Sequence, residues 1–397
     1  MDTKHGEVNL QKMGPVVGVL GAGGLLWFGA TLLSGNPATQ KAFMQSFLWA
    51  WYFWMCLTLG LFGLTLLHHA IRPQWSLPLL RIYEAGSGPL SMLVMGLMFI
   101  PIALRMQDVY AWVDPAHQDA VLRTKSWFLN PTMFYAVTVG CFLVWLGMSL
   151  YLRSSSVRED ETRDPTESQK RTNFAAPGIV VFFLTATAAL TAWIMSLDAH
   201  WYSTVFGALI IIGNTLLGVA FSVTIFLAYH KKLPYANVIS KPLTRDHGNM
   251  MLATTMLWAY LTLSQFLIIW AANLQEEVGY YMARSANGWN YLGLVLIVGG
   301  FFATFLALCS PRTKHTPRIL IQVSIAIVVW RLLDSFWVVM PSLAGRKEQF
   351  SFQWQDIVVF IGVGGIWLSA FAYQFARARI FPVHDPRIRE ELDAVRS

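Results

Sequence analysis

An all-α polytopic membrane protein is the fold class this sequence predicts, on three observations. Only 13% of its 397 residues are charged while 55% are hydrophobic, and the mean hydropathy is +0.48. Soluble domains carry about 25% charged residues, so the chain lacks the surface charge such a domain needs. Apolar runs near the roughly 20 residues needed to cross a bilayer recur along its whole length. They lie near 13–34, 44–67, 88–106, 131–152, 175–197, 203–229, 247–273, 287–308, 318–340 and 355–376, which predicts ten transmembrane helices. Finally, Lys and Arg alternate sharply between loops, 21 on one side against 7 on the other. The positive-inside rule then places both termini in the cytoplasm. Orientation accounts for the net charge of +7 and leaves nothing that asks for nucleic acid.

The first run follows a polar dozen, "MDTKHGEVNLQK", without a small-residue cleavage site, so a retained helix is expected rather than a signal peptide. Its glycines, "GVLGAGG", suit close packing on another membrane helix. After the fourth run comes "RSSSVREDETRDPTESQKRTN" (153–173), charged in both signs, which reads as a flexible linker. The fifth run ends in "LDAHW" (Leu197 to Trp201) and the ninth in "LDSFW" (Leu333 to Trp337), sharing L-D-x-x-W. "YEAGSG" and "RDHGN" echo each other before the third and seventh runs. These pairs predict two four-helix bundles, helices 2–5 and 6–9, as parallel repeats with helices 1 and 10 peripheral. The division is 1–43 (tail and helix 1), 44–202 (first bundle, including the charged loop), 203–340 (second bundle) and 341–397 (helix 10 and a basic tail).

Arg331 and Asp334 are the costliest residues. If the ninth span ends near Met340, Asp334 lies about 9 Å and Arg331 about 13 Å inside it, at 1.5 Å per residue. Insertion scales put each such charge at about 2.5–3.5 kcal/mol. Three residues apart they share a helix face and can pair. Two readings stand: a neutralised structural ion pair, or a protonatable carboxylate on a hydrated path. Asp198 and His200 occupy the equivalent end of the fifth helix, where a histidine titrating near neutrality beside an acid can exchange protons. Gln265, Glu276, Glu277, Arg105 and Asp108 fall toward the same side, making the outer half the polar half, although the two glutamates read as plain loop charges.

On the inner side, adjacent His68 and His69 make a poor chelate and, with His230, suit interface or docking roles. Asp246 reads as an N-cap opening the seventh helix. No spaced histidine pair supports bis-haem ligation, and no Walker, EF-hand or GxGxxG context appears. Cys56, Cys141 and Cys309 sit in separate apolar runs without paired spacing or CxxCH, as small buried hydrophobes do. No cofactor and no metal are therefore expected in this chain. Trp49, Trp51, Tyr110, Trp112, Trp201, Tyr280 and Trp289 read mostly as an interfacial belt.

"SLDAHWYSTVFG" (196–207), "DHGNMMLATTMLWAYLTLSQFLIIWAANLQEEVGYYMARSANGW" (246–289) and "WRLLDSFWVVMP" (330–341) resemble the ActF-type membrane subunits of bacterial alternative complex III, within the NrfD/PsrC-like family. The resemblance is closest over helices 5 to 9. It implies a subunit of a quinol:electron-acceptor oxidoreductase of the bacterial cytoplasmic membrane, not an enzyme alone. Haem c and iron–sulfur clusters would lie in partner subunits, beside a homologous ten-helix subunit. Quinone is possible near this chain, whose own implied role is a proton path or a quinone-proximal pocket. By motif match, Asp198, His200, Arg331 and Asp334 carry over as polar positions, and Gln265 joins them as a proton-path candidate. Two other classes stand beside this one: a structural anchor for peripheral redox subunits, and a secondary transporter with parallel repeats. The inner halves of the fifth and ninth helices hold almost no ionisable groups, so a full relay would need water, Ser/Thr or a neighbouring subunit.

Overall fold

The computed structural model of the chain describes residues 13–33, 35–114, 119–233 and 235–381. Among the described residues there is no strand, and the fold is an all-α membrane protein. The main helices are α1 (Met13–Leu32), α2 (Pro37–Ile71), α3 (Leu80–Gly86), α4 (Pro89–Met98), α5 (Pro131–Thr162) and α6 (Pro165–Trp193). They continue as α7 (Phe206–Ala228), α8 (Lys241–Ala272), α9 (Gln275–Ser285), α10 (Trp289–Cys309), α11 (Pro317–Val339) and α12 (Trp354–Ala376). Among the described residues, eight helices are long and apolar enough to span a membrane. The stretch holding α3 and α4 makes up to nine, as one span bent by 41° at Ser87 and Gly88. The 20-residue apolar α1 stands outside that count.

Local chemistry starts these helices where it should. Asn36, Asn130, Asp164 and Ser240 each accept backbone N–H bonds as N-caps of α2, α5, α6 and α8. A proline follows each cap at the first or second helical position, where its missing N–H costs nothing. Asp246, expected to open α8, lies six residues inside it and contacts only its neighbour Arg245 at 3.4 Å. Ser240 does the capping because it stands just before the Pro-led turn.

The charged stretch 153–173 is helical, not a flexible linker. α5 runs on through Thr162, Arg163 turns the chain at φ 60°, and α6 starts at Pro165. Opposite charges hold it: across the hairpin Arg158 reaches Glu167 at 3.1 Å and Arg171 pairs with Glu159, while Lys170 reaches Glu167 at 2.8 Å within α6. At 32 residues α5 is about 48 Å long, well beyond a hydrocarbon core of about 30 Å, so its charged third extends past the apolar layer. The ends of the helices nearest 72–80, 163–164, 229–240 and 310–316 form what we term the basic end.

α2 is buried along most of its length, against α6, α7 and α12, while α7 packs on α2, α8 and α11. The α2–α7 crossing is tight because both faces carry glycine. A Cβ on Gly60 would collide with the Asn214 carbonyl, and one on Gly218 would press on Gly60 and Leu61. Gly60→Ala is expected to force these helices apart at a cost of about 1–3 kcal/mol. A lowered thermal midpoint of the solubilised chain would register it, with Gly23→Ala, whose Cβ meets nothing, as control. An unchanged midpoint would mean that the crossing is looser than described. The last span is not peripheral: α12 packs against α2, α3 and α4, with Trp54, Phe360 and Trp367 stacked along the seam. α1 lies outside it, its Gly21 and Gly24 against Gly362 and Gly365.

The aromatic residues expected as an interfacial belt are interior. Trp49, Trp51, Tyr110, Trp112, Trp201, Tyr280 and Trp289 are all buried within the chain. Their N–H and O–H groups find internal partners in several cases, such as Trp49 to Ser335 at 3.0 Å and Tyr110 to the Trp193 carbonyl at 3.0 Å. Such satisfied polar tips are what permit large aromatics in a core. Cys56 and Cys141 are buried as expected, whereas Cys309 is exposed at the end of α10.

Candidate functional site

One helical turn on α11 sets Arg331 Nη1 2.8 Å from Asp334 Oδ2, with side chains only 8% and 10% exposed. Three elements build the socket. The guanidinium lies where a Cβ on Gly213 of α7 would stand, so only glycine leaves room for it. Its carbon sits 5.3 Å from the Trp258 ring of α8, a cation–π contact that partly replaces lost hydration. The third wall is α10, which is π-helical over Leu296–Ala303. A small cleft opens among Leu216, Trp258, Leu296, Gly300, Trp330 and the ion pair. π-helical turns are rare and recur at functional sites, because they widen the helix and re-aim side chains.

Asp198 and His200 do not form the pair expected of them. α6 ends at Trp193, so both lie in the loop beyond it. His200 Nε2 instead meets Asp119 Oδ2 at 2.5 Å, at a half-exposed position before the short helix Ala120–Lys125. The hydrogen bond from His200 holds the Asp119 carboxyl below its usual range. Lys125 caps the same loop by donating to the Ala199 and His200 carbonyls, at 2.8 and 3.0 Å, and partial burial lowers its ammonium. Gln265 is buried and bridges two elements, accepting from Ser203 Oγ at 3.0 Å and donating to Tyr281 Oη at 3.1 Å. Arg105 pairs with Asp108 at 2.7 Å, and in the first turn of α9 Glu276 is exposed and Glu277 half-buried.

The two L-D-x-x-W motifs meet through Tyr280 and Arg284 of α9. Trp201 stacks on Tyr280 at 4.0 Å, and the Arg284 guanidinium lies 3.4 Å over the other partner, the same Tyr280 ring. Arg284 then donates to the Trp337 and Val338 carbonyls, at 3.2 and 2.6 Å. These are the last carbonyls of α11, orphaned at its C-terminus, and a cation is favourable there. Burial pulls the Arg284 guanidinium below its ordinary range, while the charge of Asp198 pulls the other way. In the sequence only the amphipathic spacing of Tyr280 and Arg284 on α9 could have signalled this meeting.

The basic end is as polar inside as the opposite end, contrary to the expected asymmetry. Glu84 is 3% exposed; its Oε2 takes Arg81 at 2.5 Å and Arg153 at 2.8 Å. Arg81 reaches on to Asp160 at 2.5 Å and Ser156 at 2.7 Å. Glu84 Oε1 faces His69 Nε2 at 3.8 Å, beyond hydrogen-bond range. His68 bonds Ser76 Oγ at 2.5 Å, and His230 Nδ1 contacts the Leu227 carbonyl at 2.6 Å. His68 and His69 are thus core residues, not docking residues. The network gathers at the break between α3 and α4, where the "YEAGSG" motif interrupts the helix. Among the described residues no cluster of His, Cys, Asp and Glu has the arrangement of a metal site.

No protein-family model matches the chain, and no curated protein matches it either.

Proposed function

We propose that this chain is a ten-helix membrane subunit of a quinol:electron-acceptor oxidoreductase complex, of the ActF kind, and that Asp334 exchanges protons there. The observation that carries the proton role is the buried Arg331–Asp334 pair opening on a cleft beside a π-helical wall. A carboxylate held among Trp258, Leu216 and Leu296, with one guanidinium, gains or loses a proton at the expense of that single pairing. The cleft has a free volume of about 10 Å³, room for roughly one water, against roughly 300–1,000 Å³ for ligand pockets. Its size favours water and protons over a quinone ring.

In this reading haem c and iron–sulfur clusters belong to partner subunits, and both termini face the bacterial cytoplasm. Arg284, Tyr280 and Trp201 hold the outer loop that carries Asp198, beside Gln265 of α8, a positioning role. Asp334→Asn in the assembled complex is expected to leave quinol oxidation within a few-fold and to lower proton translocation per electron by about a hundredfold, the low end of proton-transfer contributions. Proton uptake by reconstituted vesicles measures it. Unchanged uptake with unchanged oxidation would leave the pair a structural one. Purification from native membranes tests the assembly itself, since a chain that travels without haem-bearing partners contradicts it.

A structural anchor is the second reading, favoured by the close seating of Arg331 against Gly213 and Trp258. That seating locks α11 to α7 and α8 whether or not Asp334 titrates.

A further inference from the structure

At the basic end, the two halves of the chain treat their cations differently. In the first half Arg81, Arg153, Arg158, Lys170 and Arg171 are each in an ion pair with Glu84, Asp160, Glu159 or Glu167. In the second half Lys231, Lys232, Lys241, Arg245, Arg312, Lys314 and Arg318 face a single acid, Asp246, within 229–246 and 309–318. Its one contact is 3.4 Å to Arg245, on a side chain 53% exposed. Topology alone asks for cations at both places and does not explain why only one set lacks carboxylates.

This set, unneutralised among the described residues apart from Asp246, is also arranged. Lys241, Arg245 and Asn249 recur every fourth residue and so share one stripe of α8. The short helix Pro311–His315 packs on that stripe, and the Lys314 stem crosses α8 over Gly248 to place its ammonium 2.7 Å from Asn249 Oδ1. A side chain on Gly248 would push the stem away. Arg312 and Arg318 flank it, both exposed. Directly along the membrane-spanning parts of the same helices, the surface turns apolar and outward: Met256 on α8, and Phe302 and Leu306 on α10, are 42%, 52% and 65% exposed.

We propose that this cationic stripe binds the phosphate headgroup of an anionic phospholipid, whose chains lie on the apolar surface between α8 and α10. Charge complementarity selects the headgroup, and the continuous apolar wall selects a lipid over a soluble phosphate. Basic pockets between membrane helices hold anionic lipids in this way, at about 1 kcal/mol per cation, or roughly fivefold.

Native mass spectrometry of the full chain, released from bilayers of phosphatidylcholine with phosphatidylglycerol, tests it. Wild type is expected to retain phosphatidylglycerol preferentially. Lys241→Gln, Arg245→Gln and Lys314→Gln should each reduce that preference roughly fivefold, with phosphatidylcholine retention unchanged. Arg123→Gln, at the opposite end, should change nothing. Equal retention by the triple variant overturns the proposal, as does displacement of the lipid by inorganic phosphate. So does a preference that emerges only when residues 382–397 are removed, since the acidic groups of that segment would then be the occupant.

Discussion

Arg331→Leu is expected to destabilise the protein by about 3–5 kcal/mol, the largest effect of any single change at the candidate site. The reason is asymmetry. Arg331 and Asp334 are both buried, and removing the guanidinium leaves a carboxylate among Leu216, Trp258 and Leu296 with no counter-charge. The double variant Arg331→Leu, Asp334→Leu removes both charges and should recover most of the loss, because a desolvated pair contributes little net stability. Thermal denaturation of the solubilised chain, with membrane yield as a second readout, measures the cycle. A double variant as unstable as the single one would mean that Arg331 acts through Gly213 and Trp258 and not through Asp334. If the double variant folds and assembles, it also isolates proton handling from structure, since it lacks the titrating group altogether.

The second large effect is expected at Glu84. Glu84→Leu strands Arg81 and Arg153 at the bend between α3 and α4, where Glu84 is the carboxylate they share. A loss of about 3–5 kcal/mol is expected, in the range for breaking a buried ion pair. Arg81 keeps Asp160 and Ser156, so the deficit falls mainly on Arg153, which otherwise donates to the Gln374 carbonyl. Glu84→Gln retains the acceptor oxygen and should cost distinctly less. Proteolytic nicking near Ser87 and Gly88, measured for both variants, tells whether the bend opens. If the two variants behave alike, the charge of Glu84 is not what holds the bend.

Much of the fold was legible because bilayer thickness imposes a length on apolar runs, and each expected run from 44–67 onward falls on a helix long and apolar enough to span or on the bent pair. The pairing of Arg331 with Asp334 was legible for the same kind of reason, since a spacing of three fixes two side chains on one face. What failed depended on contacts between distant segments. His200 finds Asp119, 81 residues away, and no local pattern announces that. The charged run 153–173 has the composition of a solvated linker, yet its charges are satisfied across a hairpin and by Arg81 from α3. Trp49, Trp51 and Trp289 carry the composition of an interfacial belt, but aromatic burial depends on what the other helices place opposite. Arg284 escaped notice because a helix C-terminus, and not a carboxylate, is its partner.

The π-helical stretch of α10 has a geometric corollary. From Leu296 onward the buried positions of that helix are Leu296, Gly300, Thr304 and Leu308, a strict period of four. In a regular α-helix each step of four overshoots the 3.6-residue turn by about 40°, so three steps would swing Leu308 about 120° away from Leu296. The wider turn absorbs that phase drift. Trp330 of α11 therefore finds Gly299 and Gly300 side by side, and a cleft, at the place where the helix changes its pitch. The helix thereby holds one face inward from Leu296 to Leu308 across a change of pitch.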